Sequence, residues 1–390
     1  MVFIPHRKKL MTCGRSLLSA LLLGIFAAPA FAAAPSYSVK AVNTGGQYDS
    51  WRLIDNAGTL YGQAMGRSAY HSGGTTHVLD MPTMHEYPNA RVSAISNAGH
   101  MATTEMWDSS MLDGPVKAYL TVNGANTHLK PLSDGFGLPT AWANGVNNAG
   151  TVVGSSKTDV RVPGGDPYNP RFASHAFAYS DGVTKDLGTL GGVHSGATAI
   201  NNAGTIVGYA HNTSWRERAF IYQNGRMTDL GAFEGGSSAA TDINDSGQII
   251  GQSAHTWDTS VQSAFLYVDG VMTDLGWSAG KSSKAVDINN LGQVIGYGAD
   301  AKGLQHGFIY QNGQLLQLDA ALDPLAGWSI RSTYSINDHG QILADACQLG
   351  VCGTVLLSPV PEPERYAMML AGLGLLGVCA RRRKQRKAGA

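Results

Sequence analysis

An all-β ring of seven four-stranded units is the fold this sequence predicts, and three observations predict it. A seven-residue phrase recurs seven times. Its clearest copies are Ile200-Asn201-Asn202-Ala203-Gly204-Thr205-Ile206, Ile243-Asn244-Asp245-Ser246-Gly247-Gln248-Ile249 and Ile288-Asn289-Asn290-Leu291-Gly292-Gln293-Val294, and weaker copies start at Ile54, Ile95, Val146 and Ile336. From the second residue of each copy (Asp55, Ser96, Asn147, Asn201, Asn244, Asn289, Asn337) the gaps are 41, 51, 54, 43, 45 and 48 residues, with a mean of 47. A period of this size marks repeated supersecondary units, either propeller blades or solenoid coils. Asx-Gly pairs between apolar runs, at Asn123-Gly124, Asp181-Gly182, Asn224-Gly225, Asp269-Gly270 and Asn312-Gly313, are strong hairpin signals. Finally, the two ends of the repeat region hold complementary fragments of one unit.

Residues 1–32 combine a basic stretch (Arg7, Lys8, Lys9, Arg15), an apolar run over 17–28 and the small-residue triplet Ala30-Phe31-Ala32. This is the pattern of a secretory signal peptide cut before Ala33. The apolar run is shorter than the roughly 20 residues that a bilayer span requires.

Each unit of the repeat region, 33–358, reads as two hairpins. In the fourth, residues 197–200 form a short β run, 201–204 a turn and 205–209 a second run. A second hairpin follows over 219–222 and 227–230, around Asn224-Gly225. A glycine closes the first turn in all seven copies (Gly58, Gly99, Gly150, Gly204, Gly247, Gly292, Gly340), as expected where the backbone turns to positive φ. No helical periodicity interrupts residues 36–358.

The seventh unit stops after its third strand, Thr354-Val355-Leu356-Leu357. The segment from Val39 to Gly46 aligns with Asp186 to Gly192 through a shared Gly-Gly, so it reads as an orphan fourth strand. Pairing the two closes a ring and removes exposed sheet edges, whereas a linear solenoid needs caps and has no use for such complementarity. The expected fold is therefore a seven-bladed β-propeller of four-stranded blades, closed by the N-terminal strand on the last blade.

The phrases His175-Ala176-Phe177-Ala178-Tyr179, Arg218-Ala219-Phe220-Ile221-Tyr222, Ser263-Ala264-Phe265-Leu266-Tyr267 and His306-Gly307-Phe308-Ile309-Tyr310 precede Asp-Leu-Gly triplets in the first three cases. Together they resemble the extracellular HAF repeat, specifically in blades three to six. Blade one (Ala69-Tyr70) and blade two (Ala118-Tyr119) depart from the motif. The resemblance implies an exported repeat protein and carries over no catalytic residues.

Beyond the propeller, residues 359–390 read Val360-Pro361-Glu362-Pro363, an apolar run over 366–380, then Arg381-Arg382-Arg383-Lys384-Gln385-Arg386-Lys387. The apolar run, as a short helix, reaches roughly 22 Å at about 1.5 Å per residue, less than a hydrocarbon core of about 30 Å. The basic cluster favours the cytoplasmic side. This arrangement resembles the PEP-CTERM sorting signal. The resemblance implies processing by a membrane-embedded exosortase, transient inner-membrane anchoring, and a cell-surface or extracellular destination in a Gram-negative bacterium.

Without its two ends the chain is acidic: segment 33–358 carries 17 basic and 26 acidic residues, a net of −9. That balance lacks a phosphate-backbone footprint and argues against nucleic acid as a partner. Cys347 and Cys352 are the two cysteines of this segment, and their spacing suits a hairpin disulfide in an oxidising compartment.

Equivalent positions in successive blades, such as His175 and His306 or Asp186, Asp229 and Asp274, read as scaffold, because an active site needs different residues converging on one place. The stretch from Asp242 to Gly247 resembles the start of a calcium loop, but its twelfth position is Ser253 where a bidentate glutamate is needed. No recognisable catalytic constellation, metal site or cofactor motif appears.

All seven tryptophans map to the long, variable connections. Trp107, Trp215 and Trp257 lie between second and third strands; Trp51, Trp142, Trp277 and Trp328 lie in or beside the connections between blades. Each has two readings, a ligand contact on a recognition face or a plug on the end of a blade core. Trp107, Trp215, Trp257 and Trp277 are the candidate ligand contacts. The expected function is a non-enzymatic surface or matrix module that binds exopolysaccharide or another envelope component. A competing reading is a carbohydrate hydrolase or lyase with an acidic site in the propeller funnel, using pairs such as Glu105 with Asp108 or Glu86 with Asp113. A third is a purely structural role.

Overall fold

The structure, a computed structural model, describes residues 36–42, 49–64, 66–79, 89–106, 116–133, 140–163, 171–256, 261–277 and 282–360. The leader, the sorting tail with Pro361, Glu362, Pro363, Arg381, Arg382 and Arg383, and the expected apolar helix at 366–380 lie outside these residues. Among the described residues no helix is long and apolar enough to cross a membrane.

Seven four-stranded antiparallel sheets make up the fold. Blade four is typical: strand a is Gly191–Ile200, b is Ile206–Asn212, c is Glu217–Gln223 and d is Arg226–Asp229, in that spatial order. Blades one to six each use consecutive strands. Blade seven takes Trp328–Ile336, Ile342–Gln348 and Val351–Pro359 as a, b and c, and Tyr37–Ala41 as d. In that last pair Val39 stands opposite Leu357 and Ala41 opposite Val355. Backbone bonds from Val42 N–H to the Thr354 carbonyl (3.0 Å) and from Val360 N–H to the Ser36 carbonyl (2.8 Å) extend it at both ends.

The tight turns explain the recurring glycines. All seven glycines that close an a–b turn have φ between 72° and 81°. The Asx-Gly pairs of the c–d turns have positive φ at both residues, for example 53° at Asn224 and 77° at Gly225. That is the turn whose twist matches paired strands.

Two features of each blade were invisible in the sequence. Strand a carries a register shift shortly before the repeated phrase, between Ala143 and Gly145, Ala197 and Ala199, Ala240 and Asp242, Ala285 and Asp287, Trp51 and Leu53, or Val92 and Ala94. Blade seven has two such shifts. The bulge turns the preceding carbonyl over strand b, and strand b answers with a glycine: a Cβ on Gly154, Gly208, Gly251 or Gly296 would run into the carbonyl of Trp142, Gly196, Ala239 or Lys284. Each of these glycines pairs with a phenylalanine of strand c, Phe177, Phe220, Phe265 or Phe308. All four rings are fully buried. The bulge thus opens the twist, and the glycine and phenylalanine fill the space that results.

Blade one reaches the same volume another way. Its strand c has Ala69 in the phenylalanine slot, and strand a has Trp51 where blades three to six have alanine; both are buried, Trp51 at 1% exposure. Trp51 is therefore core rather than loop surface.

Candidate functional site

The end of the channel formed by the a–b turns is held by the repeated phrase. The second residue of the phrase does two jobs. In blade six, Asn289 Oδ1 accepts the N–H groups of Leu291 (3.1 Å) and Gln293 (3.0 Å), closing its own turn. Its Nδ2 donates to the Asn337 carbonyl of blade seven (3.0 Å). The same reach links Asn147 to Asn201, Asn201 to Asn244, Asn244 to Asn289 and Asn337 to Asp55, the last joining blades seven and one. A second belt lies outside it. The third residue of one phrase donates its N–H to the side chain of the next: Asn148 to Asn202, Asn202 to Asp245, Asp245 to Asn290, Asn290 to Asp338 and Asp338 to Asn56, all at 2.8–2.9 Å. Burial works against the Asp338 carboxylate, yet bonds from the Asn290 N–H and the amides of Asn56 and Asn290 hold its pKa below the usual range.

This belt surrounds a cavity of ≈ 330 Å³ on the axis, lined among others by Asn144, Thr198, Asp242, Asp287 and Tyr334. Asp242 and Asp287 face each other across blades five and six. Burial first, and the neighbouring Asp287 second, push the Asp242 carboxyl well above its ordinary value. Each also binds backbone. Asp242 Oδ2 accepts from the Ile288 N–H (3.3 Å), and Asp287 Oδ2 from the Ile336 N–H (2.8 Å) of the following blade. These carboxylates therefore fasten neighbouring blades. They lie at the tight-turn end of the axis, beside the a–b turns of blades five and six. Of the other acidic candidates, Glu105 accepts the Tyr119 hydroxyl (2.9 Å), and Glu86, Asp108 and Asp113 lie outside the described residues.

The raised pKa sets a sign for pH dependence. The folded protein keeps a proton on Asp242 that the unfolded chain releases near pH 4, so this group's contribution to stability declines as pH rises above that value. Asp242→Asn removes the titration and leaves an amide that donates toward Asp287. Urea unfolding of this variant should show higher stability at pH 7 and a flatter slope between about pH 4 and 7.

The repeated histidines and aspartates of strands c and d serve the blades. Asp186 Oδ2 meets His175 Nδ1 at 2.8 Å, and its Oδ1 caps the Gly188 N–H at 2.7 Å. Asp229 and Asp274 cap Gly231 and Gly276 in the same way. Their partners change: Arg218 in blade four, and in blade five His255 from the b–c connection.

Opposite the tight turns lies the face of the b–c and d–a connections. Trp107 and Trp257 fall outside the described residues. Trp277 is fixed by packing: its Nε1 donates to the Ala299 carbonyl (2.7 Å), and its ring lies 5.8 Å from that of Phe308 and covers Gly298. Trp142 and Trp328 are partly buried in strands a. Cys347 and Cys352 are joined in a disulfide at the hairpin tip of blade seven.

Trp215 differs from the rest. It stands at the tip of an Asx turn in which Asn212 Oδ1 accepts the N–H groups of Ser214 (2.9 Å) and Arg216 (3.1 Å). Blade six builds the same turn from Asp300, with Gly303 at the fourth position, φ 84°. In blade four that position is Trp215, at φ 62° and 55% exposed. A non-glycine residue there costs on the order of 1–2 kcal/mol, and its ring is not buried in return.

The strands of blade four that lead to this tip bring polar groups together. His194 and His211 meet edge to face at 5.4 Å, and His211 Nδ1 is buried with no partner among the described residues. Burial raises the Glu217 carboxyl, with His211 opposing it. Burial, then His211 and His175, lower the pKa of His194. The exposed apolar residues Leu304, Leu325, Leu349 and Val351 occupy the same face. Neither the strain at Trp215 nor its glycine counterpart can be seen in the sequence until the two turns are superposed on each other.

Residues 233–351, from the start of blade five into blade seven, match the family model described as Protein of unknown function (DUF3466). No curated protein matches the chain. Among solved structures, the chain is similar to a puromycin-hydrolyzing peptidase of Mycobacterium tuberculosis, with 11% identity and a TM-score of 0.49 over 82% of this chain and 56% of that one. It is also similar to TolB from Acinetobacter baumannii, at 12% identity and 0.41 over 80% and 64%, and to YCF48 bound to D1 peptide, at 12% and 0.45 over 85% and 97%. The chain spans less than two thirds of the length of the first two. At such scores these likenesses carry no inference, and the fold rests on the strand pairings above. Residues 359–384 match the PEP-CTERM protein-sorting motif, so this propeller carries the signal of an exported, exosortase-sorted protein.

Proposed function

We propose that the protein is a non-enzymatic module of the cell surface or extracellular matrix whose variable-loop face binds exopolysaccharide. In this reading residues 1–32 direct export, the tail from 359 onward anchors the chain transiently in the inner membrane for exosortase, and pairing of Tyr37–Ala41 with the last blade keeps the ring closed afterwards. The four buried strand-c phenylalanines support reading the blades as HAF-type repeats. The disulfide suits an oxidising destination.

One observation carries the binding proposal: Trp215 occupies a left-handed turn position that a sister turn gives to glycine, and it displays its ring to solvent. A flat apolar ring on a turn whose flanking strands carry imidazole, carboxyl and guanidinium groups suits a sugar face with its hydroxyls. Trp215→Gly separates stability from binding, since the turn prefers glycine. Thermal unfolding should show equal or greater stability, by about 1 kcal/mol. Retention on the host's exopolysaccharide should fall roughly tenfold, a loss of about 1.4 kcal/mol. Undiminished retention would remove Trp215 from the site.

A further inference from the structure

The tail's point of departure fixes which face looks outward while the chain is anchored. Val360 is the last described residue, and its N–H binds the Ser36 carbonyl on the tight-turn face. There Pro359 packs beside Gly340 of the a–b turn of blade seven. The variable-loop face lies at the other end of strand c, Val351–Pro359, whose nine residues span about 30 Å at ~3.3 Å each. Between Val360 and the apolar run at Tyr366 stand five residues, Pro361 to Arg365, with two prolines among them. Fully extended they reach at most about 18 Å. A link of that length cannot pass around a body about 30 Å tall.

The tight-turn face is poor in basic side chains among the described residues. Its exposed charged side chains include Asp181, Asp245 and Asp269 beside Arg226, which is no basic patch for anionic headgroups. The tether alone would therefore hold it near the bilayer.

We propose that the tight-turn face, with its asparagine belts and channel mouth, is the bilayer-facing surface of the anchored protein, and that the face bearing Trp215 is presented away from the membrane. This rests on the anchoring reading above and adds its geometry. It means that the recognition face is open to polymer before the tail is processed.

The test uses the exported chain, residues 33–390, with Cys379 replaced by Ala, in vesicles of phosphatidylethanolamine and phosphatidylglycerol carrying a headgroup energy acceptor. A donor dye is placed at Ser246→Cys in an a–b turn or at Lys302→Cys in a b–c turn. Flotation with the vesicles is expected, and transfer from position 246 should exceed that from 302 at least about twofold, given faces separated by six or more strand residues at ~3.3 Å each. Flotation with equal or reversed transfer overturns the orientation alone. Failure to float overturns the anchoring reading and the orientation with it.

Discussion

Gly251→Ala should be among the most damaging single substitutions in this protein, although it adds one methyl group at an ordinary backbone conformation. The new Cβ would meet the Ala239 carbonyl that the strand-a bulge turns over strand b, and would lie 2.6 Å from Cζ of the buried Phe265 ring. Neither neighbour can retreat. The carbonyl belongs to the bulged strand, and the ring is fully buried between blades. Overpacking of this kind costs about 3 kcal/mol or more, a large part of the roughly 5–15 kcal/mol that holds a domain folded. Gly353→Ala is the control, because a Cβ there meets nothing within 4 Å. Denaturant unfolding of the two should differ by nearly the whole effect, and equal midpoints would refute the account of the bulge. Blades two and seven show what tolerating a side chain requires. They carry Thr103 and Ala344 in this slot, opposite Tyr119 and Val355 rather than phenylalanine, and blade seven adds a second bulge. Shrinking Phe265 to Val should therefore recover only part of the loss.

Asn289→Asp should be nearly as costly at neutral pH. The carboxylate keeps the acceptor that caps Leu291 and Gln293, but loses the donor that reaches the Asn337 carbonyl, and sets a negative oxygen against that carbonyl instead. At a position buried among blades, an unpaired carbonyl and a repelled carboxylate together cost about 2–4 kcal/mol. Blade one holds an aspartate, Asp55, in this slot because the Tyr61 hydroxyl donates to its second oxygen (3.1 Å). Blade six has Ile295 at the place of Tyr61, and the Gln293 side chain beside Asn289 Nδ2 turns its Oε1 to it (2.7 Å), accepting where Tyr61 donates. The defect should shrink in acid. Protonation restores a donor, so the folded pKa of the introduced aspartate is raised and its penalty disappears as pH falls below about 4. A destabilisation that stays constant from pH 7 to pH 3 would show that the belt bond is not the cause.

The two variants probe the parts of the fold that were least legible in the sequence. Repeat spacing, Asx-Gly hairpins and the turn glycines sufficed to predict seven four-stranded blades, since each is a local consequence of strand length and turn conformation. The asparagine of the repeated phrase was equally visible as a turn residue, but its amide's bond to the next blade was not. That bond runs between residues 43 to 54 positions apart and exists only after the blades are placed side by side. The bulge was hidden for a related reason: a register shift leaves no periodicity of its own, only a glycine on the neighbouring strand.

The tryptophans divide along the same line. Chain order alone assigned all seven to the variable face, yet Trp51 is core and Trp277 is bonded into blade six, while Trp215 is displayed at a strained turn. Composition and order thus determined the blade count, the acidic charge and the presence of the sorting signal, because these depend on short stretches of chain. Tertiary structure decided which rings face solvent, which carboxylates meet on the axis and which end of the propeller adjoins the tail. Each of those depends on contacts between blades that no single repeat contains.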